Sequence, residues 1–561
     1  MLRKIIALAL CFLFAFSACA ADFEITEDFQ VNINKEALLA ALFEADIASM
    51  REAIDLKLIS CYELTAYYLE RIEAYNDTFQ CFITLCDNAL DIAKQRDEAI
   101  ANGTASGALF GIPIVVKDNI DYEGFPTTNG EGKVYTTAKH NATVVQRLLD
   151  EGAVILGKTN MSAGAEDAIC SINDDGLQTF NAYHPSLASG GSSGGSAVAV
   201  SLNFAAAGLG TDTNSSLRYP SALNGCVSLR TTHGLIDRSG CVPLNPSRDT
   251  VGAITRSVID QALMLDVLTE GEYAFTDNLN TNALDGMRIG VLLELSYPVE
   301  TMQSRNHSVV DSEIQAIFDR AVYELKSCGA EIVNIAVPSI FSDIKDSSTL
   351  YHKLEKILAE HNVSALIYPA YLHTPHYATK EALNGTSIYS LPYISNCNTI
   401  SSRSGAPEIT VPIGHHSIGA GVGLEIISLR NHDQLLLDIA HSYMSRFDYR
   451  VAPKIAPSLH FGEKNVSLRE FLLLYRQMLA RANKLQIASE ETQNTGSTSE
   501  ITNKPISNAP DTTSPAAPLA SRDSDAPVIR WYYILPPIAL ILTASAYVLF
   551  KKYRRKTPAN K

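Results

Sequence analysis

Residues 190–220 read GGSSGGSAVAVSLNFAAAGLGTDTNSSLRYP. Two serine-bearing turns, one at Ser192 and one at Ser216, bracket a run of small residues. Upstream, Gly111-Ile112-Pro113-Ile114-Val115-Val116-Lys117-Asp118-Asn119 brings a lysine to the end of an apolar stretch. Serine is a poor nucleophile until a base takes its proton, and attack on a carbonyl needs dipoles that hold the oxyanion. Residues 190–194 formally match the G-x-S-x-G nucleophile elbow, but that motif needs a strand running straight into the turn. Residues 183–189, YHPSLAS, make a poor strand, and no histidine stands in a recognisable triad context. Lysine is then the better base. It serves only when neutral, which requires burial away from other charges. The apolar run 112–116 would put Lys117 at the end of such a strand, although the residues taken alone favour a Lys117–Asp118 pair on a surface turn.

Outward from this stretch the chain alternates helix and strand patterns. Leu38, Leu39, Leu42, Ile47 and Ile54 recur at helical spacing and predict one helix over residues 35–57. Ser60 with Glu63 three positions on forms a capping box that opens a second helix. Residues 110–116 read as a short buried strand. Thr143 is placed to cap a helix over 144–151, which stops at Gly152, and residues 153–156 form the next strand. Further on, strands are expected at 287–292, 332–337 and 364–369, with a helix around 310–328. Residues 406–414 and 423–427 look like adjacent strands before a helix over 432–446. With no internal repeat, this alternation over ~450 residues argues one large α/β domain.

Five stations in order resemble the amidase signature family, the Ser–cisSer–Lys amidohydrolases. They are Lys117-Asp118-Asn119, Gly157-Lys158-Thr159-Asn160-Met161, the glycine–serine core, Asp249-Thr250-Val251-Gly252, and Gly405-Ala406-Pro407-Glu408-Ile409-Thr410-Val411-Pro412-Ile413-Gly414. A lone GGSSGG is weak, because glycine–serine runs are common linkers. The resemblance covers about residues 36–480 and implies an α/β/α sandwich around a mixed β-sheet. It also implies hydrolysis of linear amides, of small-molecule or peptide type, with no cofactor and no metal. Matched to the family motif, Ser216 is the nucleophile, Ser192 the bridging serine after a cis Gly191–Ser192 bond, and Lys117 the base. The relay then runs from Ser216 to Ser192 to Lys117 and reverses to protonate the departing amine. Glycines 190, 191, 194 and 195 give the backbone freedom for that turn. Ser193 and Ser196 either support it by hydrogen bonds or cap the following helix. Asp212 and Arg218, of opposite charge, brace the nucleophile's loop. Backbone N–H groups at Thr213, Asn214 and Ser215 are placed to hold the oxyanion. Here the chain departs from the family, which has two glycines where Asn214 and Ser215 stand. Asparagine tolerates left-handed backbone angles, serine less so, and loss of one oxyanion donor costs ~10²–10³ in rate.

Both ends lie outside this body. Residues 1–20 combine Arg3 and Lys4, an apolar run, and Ala18-Cys19-Ala20, as a secretory signal peptide does. A retained anchor and an acylated Cys19 stand as alternatives. Residues 490–527 are rich in Ser, Thr and Pro and are expected to be a disordered linker. Residues 531–550 carry no charge and precede the basic tail 551–561, the pattern of a transmembrane helix with its cytoplasmic flank. The expectation is a single-pass type I membrane protein with its catalytic domain outside the cell. The net charge of −16, with six basic residues and no acid in 551–561, leaves −22 on residues 1–550 and argues against a nucleic-acid partner. Eight cysteines, at 61, 81, 86, 170, 226, 241, 328 and 397, sit in apolar sequence without a CxxC pair, as buried thiols do. Two further readings remain. One is a surface binding protein on a catalytically impaired scaffold, motivated by Asn214-Ser215. The other is the glutaminase subunit of a transfer-RNA amidotransferase, which shares the signature.

Overall fold

The computed structural model describes residues 23–26 and 30–496, apart from 134–135, 298–310, 339, 341, 343, 379–399 and 462–465. Eleven strands form one mixed sheet. In chain order they are β1 (Phe82–Leu85), β2 (Pro113–Lys117), β3 (Val154–Thr159), β4 (Ala207–Asp212), β5 (Val227–Arg230), β6 (Thr250–Thr255), β7 (Arg288–Leu292), β8 (Glu331–Ile335), β9 (Ala365–Pro369), β10 (Glu408–His415) and β11 (Gly421–Ile427). Their spatial order is β8-β7-β9-β11-β10-β5-β6-β4-β2-β3-β1. β4, β2 and β3 run parallel, as do β8, β7 and β9; the strands between them pair antiparallel. This is the α/β fold with a large mixed sheet that the resemblance implies, and it lies within the compact unit Met1–Glu491. Of the second unit, Thr492–Lys561, only residues 492–496 are described, as the end of the helix Leu468–Gly496.

β2, β3, β4 and β6 are buried at every position, which is why they read as near-continuous apolar or small-residue runs. β4 is the most revealing. Gly208 and Gly210 share one face, and a Cβ on Gly210 would stand 2.8 Å from both Ser193 Oγ and Leu217 Cδ2. Those glycines let the helix Gly194–Ser201 lie directly on the strand, where Ala197 and Val200 pack with Leu217, Cys226 and Ile254. The small-residue run between the two serine turns is therefore a close helix–strand contact.

Several expected elements move. The single helix over 35–57 is two, Lys35–Ala41 and Ile47–Asp55. Glu44 takes a φ of 63°, and Asp46 caps the second helix by accepting from Ser49 N–H at 2.7 Å. The Ser60–Glu63 capping box forms as expected, opening Cys61–Phe79. Thr143 does not cap a helix. It is the first residue of Thr143–Asp150, and its hydroxyl donates to Asp237 at 2.8 Å. β2 starts later than expected, at Pro113, and includes Lys117; β3 extends through Thr159 and absorbs Gly157-Lys158-Thr159. The later strands, and the helices Ser312–Ser327 and Asp433–Met444, fall within a few residues of their expected places.

No helix among the described residues is long and apolar enough to cross a membrane. The expected signal peptide (1–20), transmembrane segment (531–550) and basic tail (551–561) lie outside the described residues, as does most of the expected linker. The linker's first residues, 490–496, are the end of the helix Leu468–Gly496. Seven cysteines are described and all are free thiols, six of them buried and Cys241 partly exposed. Among the described residues no cluster of His, Cys, Asp and Glu is arranged to hold a metal ion.

Candidate active site

β2 and β4 are parallel neighbours with Val116 opposite Leu209, so their carboxyl ends lie side by side. Ligand sites in α/β sheets form off such ends. Lys117 closes β2, and Thr211 and Asp212 close β4. Lys117 has no exposed surface, and its Nζ donates to Ser192 Oγ at 2.7 Å and to Thr211 Oγ1 at 2.8 Å. Asn119 Nδ2 donates to the same Thr211 oxygen at 3.0 Å. Burial pulls the Lys117 pKa from 10.5 down to about 7, against the opposing pull of Asp212 and Asp249. The Lys117–Asp118 surface pair does not form. Asp118 accepts from Thr128 N–H at 2.9 Å and Oγ1 at 2.5 Å, and lies 3.5 Å from the ammonium of Lys158.

The Gly191–Ser192 bond is cis. Gly190, with φ 74°, is the one glycine of this turn that uses left-handed backbone. Gly191, Gly194 and Gly195 are needed for space instead. A Cβ on Gly191 would meet Asp167 O at 2.6 Å, one on Gly194 would meet Ser189 Oγ at 2.7 Å, and one on Gly195 would collide with Asn160. Ser193 Oγ donates to Thr211 O at 3.1 Å, and Ser196 Oγ donates to Leu209 O at 2.9 Å. Neither caps the helix; both bond the turn to β4. Ser193 N–H reaches Ser216 O at 3.2 Å and ties the two serine turns together.

Ser216 follows β4 on the loop that leads into the helix Arg218–Leu223 and is 6% exposed. Its hydroxyl makes no hydrogen bond among the described residues, so the Ser216–Ser192 link is not closed in this conformation. The N–H groups of Thr213, Asn214, Ser215 and Ser216 also have no acceptor among the described residues. Successive free amides are the material from which an anion cradle is built. Neither Asn214 nor Ser215 has a positive φ, so the expected left-handed turn at the two glycine positions is not used. Ser215 is buried with its Oγ unpartnered.

Asp212 and Arg218 are ion-paired beneath the loop. Arg218 Nε lies 3.1 Å from Asp212 Oδ2, and its Nη2 donates to Asn214 O at 2.8 Å. Asp212 Oδ2 also accepts from Leu217 N–H at 3.2 Å. The pair belongs to a larger buried network. Arg230 lies 3.0 Å from Asp212, and Arg218 lies 2.7 Å from Glu408 and 3.6 Å from Glu425. Burial works to raise the Asp212 pKa, but Arg218 and Arg230 outweigh it and hold the group below the usual carboxylate range. Burial raises Glu408 despite Arg218. The sequence alone does not assign Thr211, Asn119, Asp249, Arg230, Glu408 or Glu425 to the site. Asp249 accepts from Thr213 Oγ1 at 2.6 Å. Asn119, Asp249 and Glu408 lie inside the family-like stations, whereas nothing in the sequence marks Glu425.

A cavity of about 290 Å³ opens beside this loop, with Asn119, Thr211, Thr213, Arg238 and Cys241 in its wall. Its volume is near the lower end of ligand pockets, ~300–1,000 Å³.

The sequence matches the Amidase family over residues 63–351. A glutamyl-tRNA(Gln) amidotransferase subunit of Thermoanaerobacter pseudethanolicus is 34% identical over 311 residues, 53% of this chain and 61% of that protein. The corresponding subunit in Lawsonia intracellularis is 35% identical over 292 residues, 50% and 58% of the two chains. The chain thus spans about three fifths of the length of these relatives. Among solved structures, the native peptide amidase of Stenotrophomonas maltophilia is 26% identical with a TM-score of 0.63, covering 74% of this chain and 99% of that one. A bacterial aryl acylamidase, at 19% identity and TM-score 0.62, shares the fold. With a match across more than half of its sequence, carried on the sheet that delivers Lys117 to Ser192, the chain belongs to the amidase signature family.

Proposed function

We propose that the chain hydrolyses a carboxylic amide C–N bond, with Ser216 as nucleophile, Ser192 as the bridging hydroxyl and Lys117 as base. The observation that carries this reading is the 2.7 Å contact of Lys117 Nζ with Ser192 Oγ, made by a lysine without exposed surface. With its pKa at about 7, half of Lys117 is neutral at pH 7. For an unshifted lysine the neutral fraction is roughly one in 3,000.

In the reaction Lys117 takes the Ser192 proton while Ser192 takes that of Ser216, and Ser216 Oγ adds to the amide carbon. The oxyanion settles on the free N–H groups of the Thr213, Asn214, Ser215 and Ser216 loop. Its collapse breaks the C–N bond, and the proton returns through Ser192 to the leaving amine. Water then cleaves the ester by the same relay. Catalytic hydrogen bonds often tighten only when substrate binds, which accommodates the open Ser216–Ser192 link. Ser193, Asp212 and Arg218 hold the two turns in place.

The substrate in this reading is a small-molecule or peptide amide, consistent with the cavity volume and with the peptide amidase among the similar structures. Placement outside the cell is supported by the sequence of residues 1–20, and tethering by the uncharged run 531–550 with its basic flank. A second reading, an amidotransferase subunit that works with a protein partner, is favoured by the names of the 34–35% identical relatives. The acidic body and the apolar segment near the end weigh against it. Against the impaired-scaffold reading, neither Asn214 nor Ser215 takes the left-handed backbone that glycine would supply.

Labelling the full-length chain with a fluorophosphonate probe, followed by peptide mapping, tests the proposal. The expected adduct is on Ser216 and is lost in Lys117→Ala. An unlabelled, folded wild-type chain overturns it, and labelling of Ser215 in Ser216→Ala moves the nucleophile by one residue.

A further inference from the structure

We infer that Arg238 binds an acidic group of the substrate, so that this enzyme selects amides that also bear a carboxylate. The inference rests on the amide-hydrolase reading above. Arg238 stands in the wall of the cavity that Thr211 and Thr213 also line, on either side of the last residue of β4. One N–H of its guanidinium, at Nη1, donates to Pro246 O at 2.8 Å and anchors that end of the group. A guanidinium carries five N–H donors in a rigid fork matched to a carboxylate.

Among the described residues no carboxylate pairs with Arg238, although two acids, Asp237 and Asp249, line the same cavity. Both are committed elsewhere. Asp237 accepts from Thr143 Oγ1 at 2.8 Å, Ser239 N–H at 3.0 Å and Ser239 Oγ at 2.9 Å. Asp249 accepts from Thr213 Oγ1 at 2.6 Å and from the N–H groups of Leu244 and Asn245 at 3.1 and 2.9 Å. In a chain with 61 acidic and 45 basic residues, a half-buried arginine that finds no acid is a cation left for a ligand. Arg248 repeats the pattern at the nucleophile loop. It reaches Asn214 Oδ1 at 3.4 Å and likewise has no ion-pair partner among the described residues. The same wall also carries apolar side chains, Val242, Leu244 and Val251 among them, which suits the methylenes joining a carboxylate to an amide.

Two arms test this. In the first, glutaramic acid and its neutral counterpart pentanamide are titrated calorimetrically into the Ser216→Ala chain, with and without Arg238→Gln. The acid amide should bind at least ~10-fold more tightly than the neutral one, and Arg238→Gln should erase that ratio. Thermal melting of Arg238→Gln checks that the variant is folded, and Arg238→Lys, a point charge without the fork, should restore the ratio only in part. Equal binding of the two amides, binding of neither, or an equal loss for both in Arg238→Gln overturns the inference. The second arm follows ammonia release from both amides by the wild-type chain. Selective binding without turnover would refute the amide-hydrolase reading and leave the Arg238 site standing, whereas turnover of both amides at one rate would do the reverse.

Discussion

Lys117→Met measures directly what burial does to the base. The folded chain holds Lys117 at a pKa of about 7, against 10.5 for the ordinary side chain. Between those values the unfolded chain binds one more proton than the folded one, so stability rises with pH by about 1.4 kcal/mol per unit. Below pH 7 the group is charged in both states and the cost of burying it is complete, about 5 kcal/mol as an upper bound. Above 10.5 the cost is gone. Methionine is unbranched, of similar length and does not titrate, but it forfeits the hydrogen bonds to Ser192 and Thr211, each worth about 1 kcal/mol. At pH 6 the variant should therefore be more stable than wild type by up to roughly 3 kcal/mol, an advantage that vanishes near pH 9. Urea unfolding followed by circular dichroism across this range reads it. The activity side is complementary. The fluorophosphonate labelling rate of wild-type Ser216 should plateau above neutral pH, turn over near pH 7, and fall about tenfold per unit below that. A variant less stable than wild type at pH 6, or labelling independent of pH between 5 and 9, refutes the reasoning.

Asn214→Gly and Ser215→Gly should each alter the labelling rate by less than about threefold, because the amides proposed to hold the oxyanion are free without left-handed backbone. A tenfold gain in either would show that the family's glycines supply something this loop lacks. Arg218→Ala leaves Asp212 and Glu408 buried without their main partner and should cost about 3–5 kcal/mol in urea unfolding. A loss under about 1 kcal/mol would mean that the network does not bear on the loop.

The proposed trio of Lys117, Ser192 and Ser216 stands out in the sequence because each member sits in a local pattern: a lysine ending an apolar run, a serine among glycines, a serine after a small-residue strand. The network beneath was not, because its contacts cross the sheet. Thr211 meets Lys117 only through the β2–β4 pairing, and Glu408 and Glu425 converge on Arg218 only because β10 and β11 are neighbours. Periodicity marks a strand as buried without naming its neighbours. The helix over 35–57 failed for a local reason: its apolar spacing continues through Glu44 and Asp46, where a left-handed residue and a cap end one helix and start another. At Asn214 and Ser215 the family's glycines suggested a backbone requirement that this loop does not have.

Two buried lysines on adjacent strands show what makes one of them a base. Lys117 ends β2 opposite Thr159, and Lys158 on β3 stands opposite Val116, so alternation sends the two side chains to opposite faces of the sheet. Lys158 meets the Asp118 carboxylate at 3.5 Å and the Pro126 carbonyl at 3.2 Å, partners that favour its charged form, although burial outweighs them and lowers its pKa as well. Lys117 meets two hydroxyls, which can donate to a neutral amine as readily as accept from an ammonium. The charge that would spoil this arrangement is Asp212, at the end of the neighbouring strand and foremost among the acids that favour a protonated Lys117. Arg218 and Arg230 both pair with Asp212, and Glu408 and Glu425 face Arg218 from the other side. With both glutamates ionised the five groups sum to one negative charge, and with the proton that burial favours on Glu408 they sum to none. Asp212 still pulls Lys117 toward its charged form, as Asp249 does, and burial outweighs both. In the proposed reaction it is burial, working against these acids, that keeps Lys117 neutral, while the buried ion pairs tie Asp212 to the loop that carries Ser216.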